Sequence, residues 1–251
     1  MNTISRTAAE RLALAHYGEI ARIGKVLASP VRLRLLDLLR QGAWSVEALA
    51  QSAGVSVANT SQHLQHMRSA RLVAAGRHGQ FVEYRLADES VSLVFGALRD
   101  LAEALLPGMD RLRRELRLLS PEEREDLLSH IRRHDVTLLD VRPAHEYRAG
   151  HLPGARSIPL AELASRVGEI PRDREVVAYC RGPYCPMASE AVAILAAAGF
   201  RAHHLDLGVP ELRRRRFRVV TGDGAPADRR RASRLGPGTS NITLGDARRT
   251  R

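Results

Sequence analysis

SVEALAQSAGVSVANTSQHLQHMRSA, residues 45–70, contains two helix starts and one break. Ser45, with Glu47 two residues on, opens a short helix to Ala53, and Gly54 stops it because a residue without Cβ ends a helix at least cost. Ser56 then caps a second helix that reaches about Ala70. The spacing is that of a helix-turn-helix, which delivers its second helix to the major groove of DNA. On that helix Val57, Leu64 and Met67 are expected to face inward, and Ala58, Asn59, Ser61, Gln62 and Gln65 outward. Asn and Gln side chains suit bidentate contact with adenine, and Ser reaches a base or a phosphate. With Ser56 at the cap and Arg68 placed for a phosphate, these form the expected DNA-facing set.

Upstream, apolar residues recur at helical spacing from Thr7 to Val26. Ser29 and Pro30 read as the N-cap and first-turn proline of a helix to about Arg40, with Val31, Leu35, Leu36 and Leu39 buried and Gly42 ending it. Downstream, Leu72–Ala74 and Phe81–Leu86 read as short strands joined by Gly76, Arg77, His78, Gly79 and Gln80. A hairpin in this place is a wing, whose basic tip, Arg77 and His78, is expected to reach an adjacent minor groove or the backbone. A Leu-rich helical pattern follows from Glu89 to Leu119, interrupted near Pro107 and Gly108, and is expected to pack against the first helix within or across subunits.

Residues 23–86 resemble the ArsR/SmtB family of winged-helix repressors. The resemblance is carried by Ala28-Ser-Pro-Val-Arg-Leu-Arg-Leu-Leu36, by Ser56 to Leu64 ending in Gln62-His-Leu64, by Arg71-Leu-Val73, and by a wing closing in Tyr84-Arg-Leu86. It implies a homodimer that reads a palindromic operator in double-stranded DNA and is released by a signal. Metal-sensing members place cysteines in the third helix, or His and carboxylates on the last. Residues 45–51 contain no Cys and residues 89–119 no His, so neither design is expected, and no metal or other cofactor is called for. His63 and His66 read as polar surface, with no cysteine or carboxylate at ligand spacing.

After Ser120 and Pro121 the character changes. Short strands at Val136–Val141, Val176–Tyr179 and Ala202–Leu205 alternate with helices near Ala144–Ala149 and Met187–Ala198, the pattern of a parallel α/β sheet. The second strand ends in Tyr179, followed by Cys180-Arg-Gly-Pro-Tyr-Cys185 and then Pro186 at the head of a helix. Loop amides and the positive end of the helix stabilise an anion and lower a thiol pKa there. Cys180 is the expected nucleophile. Arg181 adds charge, Gly182 permits the backbone torsions of the cradle, and Pro183 and Tyr184 complete the anion-binding loop.

Residues 120–217 resemble rhodanese domains in Leu139-Asp-Val-Arg142, Glu146-Tyr147, Gly150-His-Leu-Pro-Gly-Ala-Arg-Ser-Ile-Pro159 and the Cys180 loop. The resemblance implies a persulfide on Cys180, received from a small sulfur donor and held by the loop amides and Arg181. It implies a structural role for His151, and for Asp140 and Arg142 as a pair tying the sheet edge near the site. Leu207-Gly208 and Leu212 stand where the family has Gly-Gly and Trp. Cys185 closes the loop where many members have a hydroxyl or small apolar residue; it reads either as a thiol that resolves Cys180 chemistry or as a small helix-cap residue. Related phosphatases have an Arg after a longer loop; Pro186 stands there, against phosphatase or arsenate-reductase activity.

The net charge of +11 is concentrated in residues 212–251, which carry +9, while residues 1–89 carry +4 and residues 120–211 carry −3. The sign change points to two domains with different partners: 1–119 for DNA binding and dimerisation, 120–221 rhodanese-like, and 222–251 a basic disordered tail. Arg clusters at 213–216 and 229–231 are either solvated or a source of nonspecific DNA affinity. The only cysteines are Cys180 and Cys185, too few for a secreted disulfide framework. No opening signal-like run or membrane-length apolar stretch occurs, so a cytoplasmic protein with no membrane partner is expected. Two functions fit: a repressor that senses reactive sulfur or oxidants at Cys180, or a sulfurtransferase carrying a regulatory DNA-binding domain. A module with both activities lost would need neither the intact loop nor the polar helix.

Overall fold

The computed structural model describes residues 7–79 and 81–223, with the side chains of His78 and Phe81 outside the description. The chain divides into two compact units between Pro107 and Gly108.

The first unit runs α1 (Ala8–Leu27), α2 (Pro30–Leu39), β1 (Trp44–Ser45), α3 (Val46–Ala53), α4 (Val57–Ser69), β2 (Val73–His78), β3 (Phe81–Leu86) and α5 (Glu89–Leu105). Side chains satisfy the helix starts that the sequence marks. The hydroxyls of Ser29, Ser45 and Ser56 accept from the backbone N–H groups of Arg32, Ala48 and Asn59 at 3.5, 3.2 and 3.3 Å. Gly54 closes α3 in the left-handed region, φ +68°, where a Cβ would be strained. Leu35, Leu36, Leu38 and Leu39 of α2 pack with Leu49, Leu64, Met67, Tyr84, Val91 and Phe95 into one apolar cluster.

The wing is three-stranded, ordered β1-β3-β2, all antiparallel. Trp44 pairs with Tyr84, a strand too short to announce itself in sequence. β2 also runs further than expected, so Gly76, Arg77 and His78 belong to the strand, His78 pairing with Phe81. Cross-strand pairing of these residues overrides the turn signal of Gly76.

The second unit takes in α6 (Pro107–Glu115) from Gly108 onward, then α7 (Pro121–Arg133), β4 (Thr137–Asp140), α8 (Ala144–Ala149), β5 (Arg156–Ser157), α9 (Leu160–Arg166), a single 3-10 turn, β6 (Val176–Tyr179), α10 (Met187–Ala197), β7 (Ala202–Leu205) and α11 (Val209–Arg214). Its sheet is parallel, ordered β5-β4-β6-β7. β4 therefore lies inside the sheet and not at its edge, because β5 pairs alongside it.

Side chains of a strand alternate between faces, and β6 shows it. Val177 and Tyr179 join the cluster of α7, α8 and α11, while Val176 and Ala178 join Leu163, Ala188, Ala191 and Leu195 beneath α9 and α10. Asp206 anchors this unit's start: it accepts from the Leu119 N–H at 3.1 Å and from both Nε and Nη2 of Arg124 at 2.8 and 2.7 Å. Among the described residues no helix is long and apolar enough to cross a membrane. The basic extension from residue 224 on, with the Arg229–Arg231 cluster, lies outside the described residues.

Candidate functional site

Cys180 follows β6 and keeps its alternation, so its side chain continues the row of Val176 and Ala178 into the cluster beneath α10. It is 1% exposed. Its Sγ lies 3.5 Å from the Cys185 carbonyl oxygen and 4.0 Å from that of Gly182, both acceptors for a thiol proton. Backbone N–H groups of Gly182 and Ala188 also face the sulfur. The cradle expected of the loop is thus present, but the hydrogen bond with Cys185 and burial outweigh it and push the Cys180 thiol well up. Cys185 is partly exposed. The hydrogen bond from Cys180, the N–H groups of Met187 and Arg181 and the nearby Arg181 charge bring it down to about 6. One thiolate shared by the pair is therefore favoured.

The loop is held from three sides. Arg181 turns its guanidinium to Glu146. Its Nη2 lies 2.7 Å from Oε1 of the fully buried Glu146, with Nε 3.1 and 3.0 Å from the two carboxylate oxygens. Gly182 has φ +140°, which L side chains rarely adopt. Gly208 packs so tightly that a Cβ there would sit 2.1 Å from the Arg181 carbonyl oxygen, and its N–H donates to Glu211 Oε2 at 3.1 Å. Pro183 and Tyr184, both half-buried, form the turn closed by the Cys185 N–H on the Gly182 carbonyl at 3.2 Å. Glu146 and Gly208 are visible in sequence only as parts of motifs; their roles come from packing.

Asp140 and Arg142 are fully buried and paired at 2.6 Å. Arg142 Nη2 also donates to the Gly150 carbonyl at 2.7 Å, which pins the start of the His151 segment. His151 stacks on Tyr147 at 3.6 Å with Nδ1 on the Tyr147 carbonyl.

In the first unit, α4 buries Thr60, Leu64 and Met67, spaced at i, i+4 and i+7. Ser56, Ala58, Asn59, Gln62, Gln65 and Arg68 are exposed and Ser61 half-buried. Val57 corrects the expectation: at 48% exposed it faces out, because Thr60 holds the inward position of that first turn. His63 is half-buried with Nδ1 unpartnered, and His66 is exposed. Arg77 is exposed on β2 and Arg85 on β3; the side chain of His78 lies outside the described residues. Among the described residues no cluster of His, Cys, Asp or Glu is arranged to hold a metal ion.

The rhodanese-like domain family matches residues 123–214 and a helix-turn-helix domain family residues 27–74. The chain is 44% identical over 198 residues to the HTH-type transcriptional regulator Rv0324 of Mycobacterium tuberculosis, covering 78% of this chain and 87% of that protein. The chain belongs to the helix-turn-helix transcriptional regulators that carry a rhodanese domain. The regulator's second half is also 34% identical over 91 residues to a sulfurtransferase of Allochromatium vinosum, covering 36% of this chain and 83% of that protein. Its first half is similar to the homodimeric winged helix-turn-helix DNA-binding domain from Mycobacterium bovis solved by NMR. There the identity is 36% and the TM-score 0.37, over 42% of this chain and 95% of that one. The helix-turn-helix and the thiol loop thus belong to one regulator.

Proposed function

We propose that this regulator is a cytoplasmic, homodimeric repressor that reads a palindromic operator through α4 and the wing, and that reactive sulfur or an oxidant acting at Cys180 releases it. The observation that carries the reading is the pair of free thiols, Cys180 and Cys185, hydrogen-bonded to each other in one six-residue loop. A pair so placed can store a signal as a disulfide or polysulfide link. Ser56, Asn59, Ser61, Gln62, Gln65 and Arg68, with Arg77 and His78 on the wing, form the DNA-contacting set. Dimerisation is supported by α5, where Val94, Leu98, Leu101 and Leu105 leave one apolar stripe exposed, and by the exposed Leu12, Leu14, Tyr17 and Ile20 of α1; such a surface is a partner site.

The second reading is a thiosulfate or persulfide sulfurtransferase whose DNA-binding half acts independently, favoured by the identity to the A. vinosum sulfurtransferase. Cys185 speaks against turnover, because a resolving thiol beside the carrier ends the cycle at a disulfide. The deciding experiment is a gel shift on promoter fragments at fixed salt with reduced protein, polysulfide-treated protein and Cys180→Ser. Release of the wild type but not of the variant is expected. DNA binding indifferent to Cys180, together with sustained sulfur transfer to cyanide, overturns the sensor in favour of the enzyme.

A further inference from the structure

We propose that the segment Asp206–Gly208, at the end of β7, carries a change in the Cys180 loop to the connector Arg117–Ser120, with Asp206 as the residue that holds or releases it. This rests on the sulfur-sensing reading above and gives the signal its way out of the loop. Asp206, Leu207 and Gly208 are consecutive, and the two ends of this short piece touch different things. At one end a Cβ on Gly208 would overlap the Arg181 carbonyl, and the Gly208 N–H donates to Oε2 of the buried Glu211 at 3.1 Å. The same oxygen lies 3.5 Å from where a Cβ on Gly182 would stand, so Glu211 is wedged between loop and segment. At the other end Asp206, 3% exposed, accepts from the Leu119 N–H at 3.1 Å and from Arg124 Nε and Nη2 at 2.8 and 2.7 Å. The Leu119 carbonyl is held too, by Arg124 Nη2 at 3.1 Å and by Nη2 of Arg113, on α6, at 3.4 Å. From Leu119 the chain leads back through α6 to the boundary at Pro107 and Gly108, where the helix-turn-helix unit ends.

A change in the loop has little room to be absorbed where it occurs. Cys180 is 1% exposed, in one cluster with Ala188, Ala191 and Leu195. Neither an added sulfur nor closure of the thiol pair to the about 2.05 Å of an S–S bond fits there without movement of the loop backbone, and close-packed interiors pass such movement on. The Arg181 side chain is fixed to Glu146 at 2.7 Å, so the residue yields at its backbone, the part that abuts Gly208. Displacing Gly208 displaces Asp206 two residues away, and the bonds to Leu119 and Arg124 weaken together.

With an organic persulfide as donor, the loop change is a two-electron oxidation. The Cys180 thiolate attacks the outer sulfur of R–S–SH, the donor's S–S bond breaks and RS⁻ leaves, giving Cys180–S–SH. The Cys185 thiolate then attacks Cys180 Sγ, the disulfide forms and the outer sulfur departs as HS⁻. The two thiol protons end on RS⁻ and HS⁻, giving RSH and hydrogen sulfide. The thiols lose two electrons and the sulfane sulfur gains them.

Hydrogen exchange of the full chain, read by mass spectrometry on peptides covering residues 116–120, follows the Leu119 amide that Asp206 holds. After glutathione persulfide, with the Cys180–Cys185 link confirmed by mass, exchange there is expected to quicken at least about tenfold over the reduced chain, while that of β4 stays within about twofold. A linked loop with unchanged exchange at 116–120, or with equal quickening in β4, overturns the proposal. If the persulfide leaves both thiols unaltered, the sulfur-sensing reading falls, and the chain alkylated at the loop with iodoacetamide decides the coupling instead. Quickened exchange at 116–120 then supports it, and unchanged exchange overturns it. Asp206→Ala separates transmission from chemistry: the link is expected to form as in the wild type, with exchange at 116–120 the same before and after treatment within about twofold. A variant whose connector still responds to the link as the wild type's does overturns the role of Asp206.

Discussion

Asp140 and Arg142 show how much one buried pair can carry. Both are fully buried, and the guanidinium also holds the Gly150 carbonyl. Removing one partner leaves an uncompensated charge in a low dielectric, which costs about 3–5 kcal/mol. Asp140→Asn is therefore expected to lower the unfolding free energy of the rhodanese unit by that order, measured by chemical denaturation; an unchanged value would mean that the pair is replaceable. Cys185 offers a second residue-scale prediction. Its ionised form is favoured by the hydrogen bond from Cys180 and the loop amides, with a pKa of about 6. An acid with a depressed pKa is neutral below it and charged above, so Cys185 alkylation should rise steeply between pH 5 and 7 and then level off. An unperturbed thiol, near 8.5, would still be climbing at pH 8. At this scale the sequence exposed which residues carry chemistry but not their states. Cys180 and Arg181 are adjacent, yet alternation buries one and turns the other to Glu146, a residue 35 positions away.

Among the elements, α4 and the Cys180 loop are built on opposite principles. The recognition helix is specified locally, with Ser56 capping it through the Asn59 N–H and an inward row of Thr60, Leu64 and Met67. Ser56→Ala should cost about 1 kcal/mol of stability in the first unit, read as a lower thermal midpoint, and weaken operator binding; full retention of both would remove Ser56 from the cap. The thiol loop, by contrast, depends on α11. Gly208→Ala would drive a Cβ into the Arg181 carbonyl, so the loop must shift. The expected result is a changed pH profile of Cys185 alkylation with the far-ultraviolet circular dichroism of the domain retained. A profile unchanged from wild type would show that the close approach does not position the thiols. The helices and their caps were legible because capping and amphipathic spacing act within a few residues. The two-residue β1, the extended β2 and the outward Val57 were not, because cross-strand pairing and the choice of inward residue are settled by neighbours distant in sequence.

At the scale of the whole molecule, a helix-turn-helix unit precedes a rhodanese unit, and α5 presents an apolar stripe without a partner in its own unit. Leu98→Glu with Leu101→Glu should halve the mass seen by analytical ultracentrifugation and weaken operator binding at least about tenfold, since two half-sites must be engaged together. An unchanged mass with intact DNA binding would place the dimer contact elsewhere. The sequence by itself determined the two-part organisation, the helix-turn-helix, the parallel sheet and the thiol-bearing loop, since periodicity, caps and motif order are local properties of the chain. Only the tertiary structure decided which thiol is buried, where the charge of Arg181 is spent and which glycine cannot be replaced, because burial, ion pairing and close backbone approach exist only once distant segments pack together.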